Sequence, residues 1–299
     1  MDNPLVEFRL LTNKKKSKFV YVSPELFDCL PAEIGEQIRV RLIKDHPTAT
    51  ETLRTDQSMF TLAGVREVSE SSKILWIPPN HHRNLKRYCG NKATTYSNAE
   101  IECLGPHPQI QTPEKAAECE EFIEQCHINK EDRNEILITA PHGGVIEKGT
   151  SKQAEVFIDK SGFDTWITYG FGSAFPRWHI STNDIDPRSF PELSAVQQQD
   201  YRYVVSLHGH IYNSISVGGL ADDHIKRQVK TAIEECVSEH NLDTEVELYQ
   251  ETDSLNGMSQ ENLVNWLSRN GGIHIEQPKW IRAEFPEVVT NALLNVFSR

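Results

Sequence analysis

The sequence has no apolar run of the roughly 20 residues that a membrane-spanning helix requires, which excludes that class of membrane protein. No basic stretch followed by an apolar one opens the chain at Met1-Asp2-Asn3-Pro4, so no secretory signal is read there. No CxxC pair occurs among the six cysteines at 29, 89, 103, 119, 126 and 236. In 299 residues such scattered thiols do not form a disulfide framework, and a reducing cytoplasm, bacterial or that of a phage-infected cell, is expected. Internal repeats and low-complexity tracts are also missing. Basic excess is absent too: the net charge is −12, which argues against broad nucleic-acid binding.

What is present is ordinary globular composition, 38% hydrophobic and 25% charged, in a chain longer than one typical domain. The charge is uneven. Residues 1–100 hold 15 Lys and Arg against 12 Asp and Glu, a net of +3, while the rest hold 16 against 31, a net of −15. Two units with different surfaces are expected, and the first is the candidate surface for a partner or self-association.

The first unit, 1–108, reads as mostly β and barrel-like. Short β-rich runs occupy Leu5–Leu11, Lys18–Val22, Gln37–Ile43 and Lys73–Ile77. Gln37–Leu42 alternates polar and apolar with period two, as a half-buried strand does. Ser23-Pro24-Glu25 predicts a short helix. The Lys14–Lys16 run and the His81–Arg87 cluster read as solvated basic surface. Gly105-Pro106-His107-Pro108 reads as a rigid connection, with the boundary near residues 105–112.

The second unit, 109–299, alternates helices and strands, so an α/β domain with a mixed, largely parallel sheet flanked by helices is expected. Thr112-Pro113-Glu114 opens a helix predicted to run to about His127, which would put Cys119 and Cys126 on one helix. Strands are predicted at 136–139, 165–169, 203–207, 245–249 and 272–275, and helices around 152–157, 221–237, 259–267 and 287–297.

Three of these strands run into candidate functional groups. Ile136–Thr139 leads to His142, Tyr203–Leu207 to His208-Gly209-His210, and Gly272–Ile275 to Glu276. In open α/β sheets, ligands bind beyond the carboxyl ends of strands. Gly143-Gly144 allows a tight turn that returns Glu147 towards His142. Two imidazoles and one carboxylate suit Zn²⁺ and leave its fourth position open. His210 is an alternative ligand or a partner of the ligands.

These motifs, in this order, resemble the phage-type poly-γ-glutamate hydrolases, small zinc amidohydrolases with a carboxypeptidase-like α/β core. The resemblance is carried by Pro141-His142-Gly143-Gly144, Glu147 and Gly149-Thr150-Ser151, then His179-Ile180 with Asp184, and Ser206-Leu207-His208-Gly209. Val217-Gly218-Gly219, Leu255-Asn256-Gly257-Met258-Ser259 with Asn262–Asn265, and Gly272–Glu276 with Ile281-Arg282 complete it. It spans roughly 113–299. It implies His142, Glu147 and His208 as zinc ligands, Glu276 as general base, and His179 in contact with substrate or oxyanion. Arg282 is the candidate grip on a substrate carboxylate, or else a structural partner of Glu276 or Glu284. The implied substrate is a γ-glutamyl peptide or polymer. A zinc deacylase or carboxypeptidase acting on another amide is the alternative, and a non-catalytic binding module on the same fold is the third. The chain departs from the family pattern in residues 1–105, at Gln277–Trp280, and at His274, where the pattern has a neutral polar group.

Overall fold

The computed structural model describes residues 5–11, 18–44, 57–69, 72–78, 96–129, 135–172 and 175–298. The basic run Lys14–Lys16 and the His81–Arg87 cluster lie outside them. The chain divides into two compact units, 1–123 with 171–190, and 124–170 with 191–299.

The first unit is a closed barrel. Its strands are β1 (Leu5–Leu10), β2 (Phe19–Val22), β3 (Gln37–Lys44), β4 (Gln57–Val65), β5 (Ile74–Ile77) and β6 (Tyr96–Glu102), in the order β1-β5-β2-β4-β3-β6. The predicted short helix is α1 (Pro24–Phe27). Alternation in β3 turns Ile38, Val40 and Leu42 into a core shared with Val20, Leu26, Phe60 and Leu75. The opposite parity carries Gln37 and Arg39, both buried. The Gln37 amide donates to the Asp184 carbonyl at 2.6 Å and accepts from the Asp186 N–H at 2.8 Å, which ties the 171–190 segment to this unit.

The helix opened by Thr112 is shorter than the sequence predicts. It is α2 (Pro113–Cys119), capped by the Thr112 hydroxyl, which accepts from the Lys115 N–H. It ends at Glu120, which adopts a left-handed conformation with φ 56°. Residues Phe122–His127 form strand β7, so Cys119 and Cys126 lie on different elements. Arg39 supplies a physical reason. Its Nη1 donates to Glu121 at 3.1 Å, its Nη2 to the Phe122 carbonyl at 3.0 Å, and its Nε to the Gly105 carbonyl at 2.8 Å. A helix continued through 121–122 would bind that carbonyl internally and carry the carboxylate away from the guanidinium.

The second unit holds a seven-stranded sheet in the order β12-β11-β13-β10-β8-β9-β7. The remaining strands are β8 (Ile136–Gly144), β9 (Asp164–Gly170), β10 (Tyr203–His210), β11 (Ile215–Gly218), β12 (Val246–Leu248) and β13 (Ile273–Pro278). The β9–β8–β10–β13 run is parallel, and β11 is antiparallel to β13. Helices α3 (Thr150–Lys160), α4 (Pro191–Gln197), α5 (Asp223–Glu239), α6 (Leu263–Trp266), α7 (Lys279–Glu284) and α8 (Glu287–Phe297) accompany it. The expected mixed, largely parallel α/β sheet and the preceding small β unit are both present. Among the described residues no helix is long and apolar enough to cross a membrane.

Arg39 is 2% exposed, and removing a buried charge partner strands the other charge. Arg39→Ala is expected to destabilise the first unit by about 3 kcal/mol in urea unfolding. A change below about 1 kcal/mol would show that Glu121 does not depend on it.

Candidate active site

The candidate groups of the second unit lie at the carboxyl ends of β8, β10 and β13. Parallel register pairs His208 with Glu276 and Ser206 with His274. Side chains alternate along a strand, so Ser206, His208 and His210 share one face with His274 and Glu276. The other parity carries Gly209 and Gln277 towards the helices. There Gln277 exchanges amide hydrogen bonds with Gln153 of α3, at 2.8 and 3.1 Å.

His142 reaches the same face by an irregularity. Thr139 is paired with Ser206, so regular alternation would bring Pro141, not His142, to the functional side. Between Ala140 and Gly143 strand β8 takes one residue more than β9, a bulge that inverts the parity. Gly144, at φ +69°, then turns the chain into the loop carrying Glu147.

The result is a compact cluster. His142 Nδ1 lies 2.8 Å from Glu147 Oε1, and His208 Nδ1 lies 3.4 Å from Glu147 Oε2. The Gly209 N–H donates to Glu147 Oε2 at 3.0 Å. The imidazoles of His142 and His208 meet edge to face at 5.0 Å, and His208 stacks on His274 at 4.3 Å. His274 Nε2 lies 3.3 Å from Glu276 Oε1. Glu276 Oε2 and His274 Nδ1 are buried with no hydrogen-bond partner among the described residues.

Burial works against the Glu147 carboxylate, but the adjacent His142 and His208 imidazoles outweigh it and hold its pKa well below the usual value. Burial, helped by His274, pushes His208 down to about 4. His208 Nε2 lies 2.7 Å from the Ser206 hydroxyl. With Nε2–H donating to Ser206, the Nδ1 lone pair faces Glu147, as a metal-ligating histidine requires.

Arg282 is buried and lies on the helix side. Its Nη1 donates to the Lys148 carbonyl at 2.8 Å and its Nε to the Gln277 carbonyl at 3.3 Å. Gly209 makes room for it, since a Cβ there would lie 2.1 Å from Cζ of Arg282. Burial lowers the Arg282 pKa, while the charges of Glu147 and Glu276 oppose that shift. His179 follows a short 3-10 helix at Phe175–Arg177, is partly buried, and belongs to the first unit.

The family profile described as Poly-gamma-glutamate hydrolase matches residues 114–294, more than half of the chain. The chain belongs to that family. No curated protein sequence matches it. Solved structures similar to this member of the poly-gamma-glutamate hydrolase family include "YNDL-apo (Zinc-free)", at 21% identity over 62% of this chain and 91% of that one, with a TM-score of 0.48. A bacteriophage poly-gamma-glutamate hydrolase is 18% identical over 57% of this chain and 88% of its own, with a TM-score of 0.46. An N-acetylmuramoyl-L-alanine amidase from Clostridium difficile is 13% identical over 55% and 97%, with a TM-score of 0.34.

Two participants are not singled out by reading strand ends. Ser206 orients His208, and His274 stacks on His208 while contacting Glu276. The signal for both is period two: each lies two residues before a candidate group, on the same face.

The Gly209–Arg282 fit has a measurable consequence. Gly209→Ala is expected to cost about 1–3 kcal/mol of stability by overpacking. In Arg282→Ala that cost should largely vanish, giving a clear coupling in a double-mutant cycle. Strictly additive effects would rule out the contact as the reason for glycine.

Proposed function

We propose that the chain is a zinc-dependent amide hydrolase that cleaves γ-glutamyl amide bonds. The observation that carries the reading is the convergence of two imidazole nitrogens on the two oxygens of Glu147, with Glu276 in register beside His208. In a tetrahedral zinc site with bonds of about 2.0–2.2 Å, neighbouring donor atoms lie about 3.3–3.6 Å apart. The 3.4 Å between His208 Nδ1 and Glu147 Oε2 fits this spacing, and the 2.8 Å at His142 is a direct hydrogen bond. A neutral imidazole at His208 and an ionised Glu147 are also the protonation states that ligation needs. His142, Glu147 and His208 would therefore hold the ion. Bound there, zinc supplies Lewis acidity, polarising the amide carbonyl and making water more acidic near neutral pH.

Glu276 is the general base. Its Oε2 is the unpartnered oxygen that takes a proton from the attacking water and returns it to the leaving amine. His274, 3.3 Å from Oε1, fixes the orientation of that carboxylate. Arg282 draws the carboxylates of a γ-glutamyl chain through its charge, because its Nε and Nη1 are already engaged by backbone carbonyls. Family membership supports the substrate class.

The full chain is expected to bind about one zinc ion and to hydrolyse γ-linked glutamyl oligomers in preference to α-linked ones. His142→Ala and His208→Ala should lose the ion. Glu276→Gln should keep it and lose at least about 10²-fold in kcat. His179→Ala, which tests the substrate contact implied by the resemblance, should raise KM. Full zinc occupancy in His208→Ala would refute the ligand set. Better cleavage of neutral α-linked peptides would favour a deacylase or carboxypeptidase. Stoichiometric zinc with no amide cleaved would favour a binding module.

A further inference from the structure

One buried imidazole on the functional face has no part in this scheme. His210 lies one alternation beyond His208 on β10 and is 9% exposed. Its register partner on β13 is Pro278, two residues past Glu276. Neither its Nδ1 nor its Nε2 has a hydrogen-bond partner among the described residues. The ring meets Tyr212 edge-on at 5.3 Å, and Tyr212 is 56% exposed.

The chemistry of the ring selects its ligand. A neutral imidazole has one N–H donor and one acceptor nitrogen. A carboxylate offers acceptors alone and an ammonium offers donors alone. A secondary amide offers both. The charges of Glu276 and Glu247 also reach the ring, opposed by Arg282, so a further carboxylate placed there meets two like charges and one opposite. An amide carries no net charge.

Spacing then selects the linkage. Alternate residues of a strand are about 6.6–6.8 Å apart, which sets the step from His208 to His210. In an α-linked chain successive carbonyl carbons are about 3.3–3.6 Å apart when extended. In a γ-linked chain five bonds separate them, and the extended spacing is about 6 Å. Among neighbouring amides only the γ-linked spacing matches the strand step; an α-linked chain reaches it at every second carbonyl, which in an α-linked trimer cleaved at its first amide is the terminal carboxylate.

We propose that His210 hydrogen-bonds a second amide of the substrate, one link from the amide being cleaved, and so makes the site read a γ-linked chain rather than a single amide. This rests on the amide-hydrolase reading above. It makes His210 a substrate-binding residue distinct from the metal set and from Glu276.

The test uses the full zinc-loaded chain and three compounds: a γ-glutamyl anilide with a single amide, γ-linked triglutamate with two, and α-linked triglutamate. The wild type should favour γ-linked triglutamate in kcat/KM. His210→Phe keeps an aromatic ring against Tyr212 and removes both hydrogen bonds. Its loss on γ-linked triglutamate should exceed its loss on the anilide by about tenfold, mostly in KM, as expected for one or two neutral hydrogen bonds. His210→Gln restores a donor and an acceptor and should recover most of the preference. Zinc content should be retained in both variants. An equal loss on all substrates, a loss of zinc from His210→Phe, or no recovery in His210→Gln would overturn the proposal while leaving the hydrolase reading intact. A wild type that cleaves none of the three would overturn both.

Discussion

Parallel pairing of β10 with β13 in one register is the constraint on which the site depends. It sets His208 opposite Glu276 and Ser206 opposite His274. What holds the register is the other parity. Val205, Leu207, Ile273 and Ile275 are fully buried, each worth about 1.5–3 kcal/mol as buried aliphatic side chains. A slip of one residue by either strand would exchange these with imidazoles and a carboxylate. Apolar burial on one face therefore enforces polar convergence on the other, although the polar groups alone would resist it.

The polar face is held together by partial satisfaction. Glu147 accepts from the Gly209 N–H and lies against two imidazoles, so its ionised form is stable despite burial. His208 is oriented from behind by Ser206. Glu276 and His274 each keep one buried atom without a partner among the described residues. Such incompleteness costs stability, and it is concentrated where a reactive site needs unengaged donors and acceptors. Arg282 differs: its Nε and Nη1 bind backbone carbonyls on the helix side, so it contributes charge to the site from beneath.

Much of this was legible from periodicity. The runs at 203–207 and 272–275 are apolar enough to be strands, and their ends carry the groups that meet. The barrel strand 37–42 was legible for the same reason. Other features depend on distant contacts. The helix expected through 127 stops at 119, with Arg39, more than 80 residues earlier, holding Glu121 and the Phe122 carbonyl. Strand β11 is only four residues long and carries no distinctive pattern beyond Gly218-Gly219. The side of the sheet taken by Arg282 depends on space left at Gly209, which no local pattern announces. Gln277, a departure from the family pattern, is accounted for by its amide pair with Gln153.

The bulge in β8 gives this strand something like a reading frame. Substitutions near it alter what a position does, but the way the strand end pairs alters which way its positions face. Pairing Pro141 and His142 regularly with β9 would bring Pro141 to the functional side and turn His142 towards the helices, although no functional side chain had been removed. A substitution that straightened the strand end would thus disarm this face as surely as the loss of a histidine, without touching one.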